Sequence, residues 1–140
     1  MNEESIAQYI RETFADVQAE TADGSFFFFH GAERNFPMIT LVTKDSYDQF
    51  SNLDRPGIFR LNIGISRNTF HALFGTEPSP AGRTDDFTAL DQIMPHPVYA
   101  QMFWVCVLNP SIATFERVQS LLAEAYDLAA KRLAERQARG

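Results

Sequence analysis

One stretch constrains the fold of this chain more than any other: PHPVYAQMFWVCVLNPS, from Pro95 to Ser111. Between its bounding prolines lie Val98, Tyr99, Met102, Phe103, Trp104, Val105, Cys106, Val107 and Leu108, including the only Trp and the only Cys in the protein. A β-branched and aromatic run stopped by proline at both ends predicts a strand buried on both faces. Asn109-Pro110-Ser111 then turns the chain into a long amphipathic pattern that runs nearly to the C-terminus. A buried strand feeding a helix that packs back on the same sheet is the skeleton of a two-layer α+β domain.

Size and composition agree with one domain. A chain of 140 residues can bury most of its apolar surface without disulfide or metal staples. Thirteen Phe imply a core, or a pocket lining, built from rings. One Cys allows no internal disulfide and no Cys-based zinc site, and its place in an apolar strand makes it a small buried hydrophobe before a nucleophile. The net charge of −6 divides unevenly: −5 over residues 1–23, +1 over 24–75 and −2 over 76–140. An acidic whole argues against generic nucleic-acid binding, which needs a phosphate-neutralising surface. The chain opens on Asn2-Glu3-Glu4, which is no signal-peptide pattern, and no apolar run approaches a membrane span, so the expected location is the cytoplasm.

The remaining elements follow from periodicity. Ile6, Tyr9, Ile10, Phe14 and Val17 form one stripe and predict a helix over residues 3–18, capped by Asn2 and ended by Asp23-Gly24. SFFFFH (Ser25–His30) is too uniformly apolar for a surface strand and reads as one buried on both sides, in a hairpin with FPMITLVT (Phe36–Thr43). Tyr47, Phe50 and Leu53 repeat at three and predict a short helical piece before the Asp54-Arg55-Pro56-Gly57 turn. Ile58–Ile65 alternates: Phe59, Leu61, Ile63 and Ile65 share one face, and Ile58, Arg60, Asn62 and Gly64 the other. Asn68–Phe74 resembles a short helix, Gly75–Asp86 a loop, and Phe87–Met94 either a short helix or an irregular arm. The last helix spans about Ile112 to Arg136, with Thr114 as its expected cap and Phe115, Val118, Leu121, Leu122 and Ala125 facing inward. The expected fold is therefore α+β, a single two-layer domain with an antiparallel sheet of about four or five strands and the terminal helices on one face.

Several phrases carry a resemblance. Trp104-Val105-Cys106-Val107 and Leu121–Ala129 (LLAEAYDLA) resemble MmcQ/YjbR-like proteins. LDRPGIFRLNIGI (Leu53–Ile65), DFTALDQIMPHPVYA (Asp86–Ala100) and LNPS (Leu108–Ser111) resemble a small bacterial family of unknown function placed near them. The resemblance implies the "double-wing" arrangement, a compact antiparallel sheet with helices packed on it. A DNA-binding role suggested for some of those relatives does not suit a chain this acidic.

No motif of useful chemical specificity is present. The glycines lack phosphate-loop spacing, the serines lack a nucleophile elbow, and the three His show neither the i, i+4 pair nor the HExxH pattern of a metal site. No cofactor is expected. Arg60 and Asn62 share one strand face, where an Arg fork suits a carboxylate or phosphate; the competing reading is a solvated face, or an ion pair with Asp54 or Asp91. His96, held between Pro95 and Pro97, is rigidly presented as an acid/base or ligand group, or else bonds a nearby carbonyl. Arg34, from the near-neutral middle of the chain, and His30, ending the Phe run, complete the candidate binding set. The sequence points first to a non-catalytic binding module for a small anionic ligand or a protein partner. The alternatives are an enzyme using His96 as acid/base with Arg60 as anion clamp, and a local basic face for DNA.

Overall fold

The computed structural model describes residues 1–33, 35–75 and 85–139. Its elements are α1 (Glu3–Thr13), β1 (Val17–Ala22), β2 (Ser25–His30), β3 (Ile39–Val42), β4 (Arg60–Gly64), α2 (Arg67–Phe74), β5 (Met94–Pro95), β6 (Trp104–Leu108) and α3 (Ile112–Arg139). The strands make one antiparallel sheet in the order β1-β2-β3-β4-β6-β5. The architecture is α+β as expected, but the sheet has six strands among the described residues where about four or five were expected, β1 and β5 being the additions.

The first difference is at the N-terminus. Asn2 caps α1 as predicted, in a capping box with Ser5: the Ser5 amide donates to Asn2 Oδ1 at 2.8 Å and the Asn2 amide to Ser5 Oγ at 3.0 Å. The helix stops at Thr13, however, and Val17–Ala22 is a strand. The cause lies in Asp23-Gly24, whose φ values of 52° and 79° are those of a type I′ turn. That turn joins two strands through two residues and sets Ala22 opposite Ser25. The stretch with helical spacing is thus drawn into a hairpin by the turn behind it.

The second difference is the segment before β4. Its aspartates bond backbone amides and supplant a helix. Asp45 Oδ1 accepts from the Leu53 amide at 2.8 Å, Asp54 Oδ1 from the Asp45 amide at 3.0 Å, and Asp48 Oδ1 from the Phe50 amide at 3.2 Å. The result is an irregular loop across one face of the sheet, with Tyr47 and Phe50 exposed instead of buried.

The stretch 95–111 also divides. Only Trp104–Leu108 is the predicted buried strand; Met94–Pro95 pairs back against Val105 and Cys106, and residues 97–103 form the turn between, with a single 3₁₀ turn at Ala100–Met102. Phe87–Met94 is an irregular arm touching the sheet through an isolated bridge, Leu90 to Leu108. At the start of α3 the cap is Ser111, not Thr114: Ser111 Oγ accepts from the Thr114 amide at 3.2 Å. The loop predicted at Gly75–Asp86 falls largely outside the described residues.

The two faces of the sheet differ in what they bury. Phe26 and Phe28 of β2, Ile39 and Leu41 of β3, Leu61 and Ile63 of β4, and Val105 and Val107 of β6 point to one face. There they meet Ile6 and Ile10 of α1, Phe70 of α2, and Phe115, Val118, Leu122 and Ala125 of α3. Glu124 of α3 ties α2 in place, accepting from the Ser66 amide at 2.6 Å and the Thr69 hydroxyl at 2.8 Å. The opposite face holds a smaller cluster, Val42, Leu53, Met94, Cys106 and Leu108. Beside that cluster the sheet surface is polar, and there lies the candidate site.

Candidate functional site

Alternation along β3 and β4 turns Thr40, Arg60 and Asn62 away from the helices. The sequence leaves this face open to a ligand, to solvent or to an internal ion pair, and solvent is excluded: Arg60 is 1% exposed and Asn62 2%. The loop before β4 closes over it. Arg60 donates from Nη1 and Nη2 to the two carboxylate oxygens of Asp48 at 3.0 and 2.6 Å, from Nη1 to Ser51 Oγ at 2.8 Å, and from Nε to Asn62 Oδ1 at 2.9 Å. Asn62 in turn donates from Nδ2 to Thr40 Oγ1 at 2.9 Å. A bidentate Arg–carboxylate pair is the strong form of this contact and fixes the loop to the sheet. Burial pushes the Asp48 carboxyl up, but the bond and charge of Arg60, aided by the Phe50 amide, outweigh it and hold the group below its ordinary value. The internal partner of Arg60 is thus Asp48, from the loop, in place of Asp54 or Asp91.

His96 joins the same face. Its ring is 3% exposed and packs beside Tyr99 and Trp104. Nδ1 accepts from the Val98 and Tyr99 amides, both at 3.0 Å, so the imidazole caps the turn that follows the two prolines. This reverses the expected carbonyl contact: the ring accepts from amides. The ring proton therefore resides on Nε2. Nε2 has no hydrogen-bond partner among the described residues, and the one side-chain polar atom among them that is sealed from solvent without a partner is His30 Nδ1, so His96 Nε2 is reached from the adjoining cavity. Burial first, and the Arg60 charge second, push His96 down to about 3 against a smaller opposing pull from Asp48. The imidazole is neutral throughout the physiological range.

The cavity itself is a cleft of about 450 Å³. Thr40, Asn62, Arg60 and His96 make its floor, Phe27, Val42 and Trp104 its inner walls, and Phe36, Tyr47, Val98, Tyr99 and Met102 its apolar rim, with Asp48 and Arg132 as the other charged residues of its lining. The rim residues are 46–70% exposed, an uncovered apolar border around a polar base. Trp104 is held flat against Gly64, where an added Cβ would lie 2.9 Å from the indole; the room that Gly64 leaves is filled by that ring.

Arg60, Asn62 and His96 thus converge on one cleft. His30 does not join them: it stands at the end of β2 on the helix side, its ring 4.8 Å from that of Tyr126. Arg34 lies outside the described residues. Cys106 is buried beneath the floor, and burial pushes its thiol up to about 12, the state of an inert core group. Among the described residues no three His, Cys, Asp or Glu side chains gather as metal ligands. Sequence reasoning missed Thr40 and Asp48. Thr40 sits one residue out of phase with Ile39 and Leu41, a signal that places it on the polar face; Asp48 gives no such signal, being in a loop.

Residues 1–138 match the model of the family of unknown function DUF6194. The chain belongs to that family. No curated protein and no solved structure matches it. For this DUF6194 chain the cleft is therefore read on its own chemistry. No described helix is long and apolar enough to cross a membrane.

Proposed function

We propose that this DUF6194 protein is a non-catalytic binding module whose cleft takes a small ligand with a flat apolar body and oxygen acceptors at one end. The observation that carries this reading is the one-sided polarity of the floor. His96 Nε2–H, the Thr40 hydroxyl proton, the second Asn62 Nδ2 proton and the remaining Arg60 Nη2 proton have no acceptor among the described residues, while Thr40 Oγ1, Asn62 Oδ1 and His96 Nδ1 each already accept at least one hydrogen bond. A floor of donors reads acceptors. Aromatic walls and a volume of about 450 Å³ are the anatomy of a small-molecule site. The charge of Arg60 is met by an ionised Asp48, so the floor itself favours a carbonyl or amide head over the anion expected from the sequence, while the exposed Arg132, which also lines the cleft, is the cation that an anionic head would use.

Acid–base catalysis by His96 finds no support in this geometry, because Nδ1 is occupied by two amides and Nε2 keeps its proton. The exposed rim favours one second reading, a side chain of a protein partner inserted as the flat body. A cytoplasmic bacterial protein akin to the MmcQ/YjbR-like group, on the phrases around Trp104 and Leu121–Ala129, is part of the proposal, although the ligand reading does not draw on it.

Trp104 is the only Trp and lines the cleft, so its emission reports occupancy directly. Matched aromatic amides and carboxylates, benzamide against benzoate and nicotinamide against nicotinate, are titrated while Trp104 emission is followed. Saturable change with the amides, weakened by Thr40→Val, supports the reading. A preference for the carboxylates restores the anionic ligand, and no response to any of them refutes a small-molecule cleft of this kind.

A further inference from the structure

The sheet has two edges, finished differently. β5 is two residues long and one of them is Pro95, which offers no amide to a neighbouring strand. β1 is six residues long, holds no proline, and carries one charge, Glu20. Its backbone phase can be assigned. The two-residue turn makes Ala22 and Ser25 a mutually hydrogen-bonded pair, and bonding alternates from there, so Glu20 and Gln18 also bond to β2. Val17, Ala19 and Thr21 then point their N–H and C=O groups off the edge. Two bonds beyond the hairpin fix the same phase: the Gly31 amide donates to Asp16 O at 2.8 Å, and the Met38 amide to Phe28 O at 2.9 Å, which turns Phe28, the partner of Ala19, toward β3. The outward groups of Val17, Ala19 and Thr21 meet no other backbone group among the described residues.

We propose that β1 pairs antiparallel with β1 of a second copy of this chain about a twofold axis, joining two six-stranded sheets into one. The register centred on Ala19 pairs all three outward residues of the strand. Setting Ala19 on Ala19 brings Val17 opposite Thr21 twice, so every outward residue meets an outward residue and each side chain stays on its own face. That register also sets Gln18 of each copy beside Glu20 of the other. The neighbouring register, centred on Glu20, would oppose two carboxylates at the closest cross-strand spacing. Pairing through one strand covers less surface than a standard stable interface, so the association is concentration-dependent.

The test is sedimentation of the full chain over a concentration range. The wild type moves from 15.9 kDa toward twice that mass as concentration rises. Ala19→Pro deletes an amide that points off the edge, leaves the β1–β2 ladder intact, and gives a folded monomer by far-UV circular dichroism. Gln18→Glu places a like charge beside Glu20 of the second copy, weakening association about tenfold or more at low salt, with recovery at high salt. Should Ala19→Pro not fold, Gln18→Glu decides alone. A wild type monomeric at millimolar concentration, or a folded Ala19→Pro that associates as strongly as the wild type, overturns the proposal. An association that Gln18→Glu leaves unchanged at low salt overturns the register and, where Ala19→Pro does not fold, the proposal with it.

Discussion

Acidification isolates the buried His96. In the unfolded chain the imidazole titrates near its ordinary value of 6.5; in the folded protein burial and the Arg60 charge hold it near 3. Between those values the unfolded chain binds a proton that the folded protein refuses. The stabilisation from the neutral ring is thus complete above the unfolded value and is lost as pH falls toward the folded one. Lowering pH from 7 to 5 costs about 2 kcal/mol from this group alone, at 1.36 kcal/mol per unit. That figure hardly depends on the folded value while it stays well below 5. The carboxylates held low, Asp48, Asp86, Asp91 and Glu124, begin from ordinary values of 3.8 for the three Asp and 4.5 for Glu124, so their losses come at lower pH and leave this window to His96. Urea unfolding at pH 7 and pH 5 measures the difference. His96→Asn is the decisive comparison, because Asn Oδ1 also accepts from amides two and three residues on and keeps the cap without a titrating group. The wild type should lose about 2 kcal/mol and the variant well under half of that. Equal losses in the two proteins would refute the assignment of a neutral, capped His96.

Two further outcomes test the floor of the cleft. Arg60→Met strands the Asp48 carboxylate and the Ser51 hydroxyl beneath the loop and should cost about 3–5 kcal/mol in urea unfolding, with Arg60→Met/Asp48→Asn recovering part of it; a loss under about 1 kcal/mol would show that the pair does not hold the loop. Gly64→Ala puts a Cβ 2.9 Å from the Trp104 indole and should cost about 1–3 kcal/mol, or push the ring into the cleft, with a changed Trp104 emission in either case; unchanged stability and emission would contradict the close packing.

The buried elements were legible because burial writes itself into residue type. SFFFFH, the alternation of Ile58–Ile65, WVCVL and the inward face of α3 each needed only a period and a run of rings or branched side chains. What failed was local competition. Val17–Ala22 has one apolar position too few for a convincing strand, and Val17 fits the helical stripe of α1 as well as it fits β1. Asp23-Gly24 held the answer, since a two-residue I′ turn demands strands on both sides, but at the end of a helical pattern the same dipeptide also reads as a helix stop. Residues 44–54 failed in the opposite sense: three apolar residues at helical spacing were overruled by aspartates that bond backbone amides.

The site shows a deeper ambiguity. An Arg and an Asn alternating with Leu and Ile carry the same pattern whether the polar face meets water or a covering loop. Only the loop decides, and its contribution here comes from Asp48 and Ser51, twelve and nine residues upstream of Arg60 at no periodic offset. His96 was legible as rigid from its flanking prolines, but its protonation was not. That depends on two amides of the following turn, and a turn closing on Nδ1 makes a donor at Nε2 where one closing on a carbonyl would have made an acceptor. The choice between a catalytic base and a fixed hydrogen-bond donor thus rests on the fold of Pro97–Tyr99, three residues whose types hardly limit it. Arg60 turns on Asp48 in the same way: the ion pair removes the free positive charge that suggested an anion and leaves a neutral, donor-rich floor. It is this pairing, more than any residue visible in the strand itself, that turns the proposed preference of the floor from an anion toward an uncharged acceptor, and it leaves Arg132 as the unpaired cation among the described residues that line the cleft.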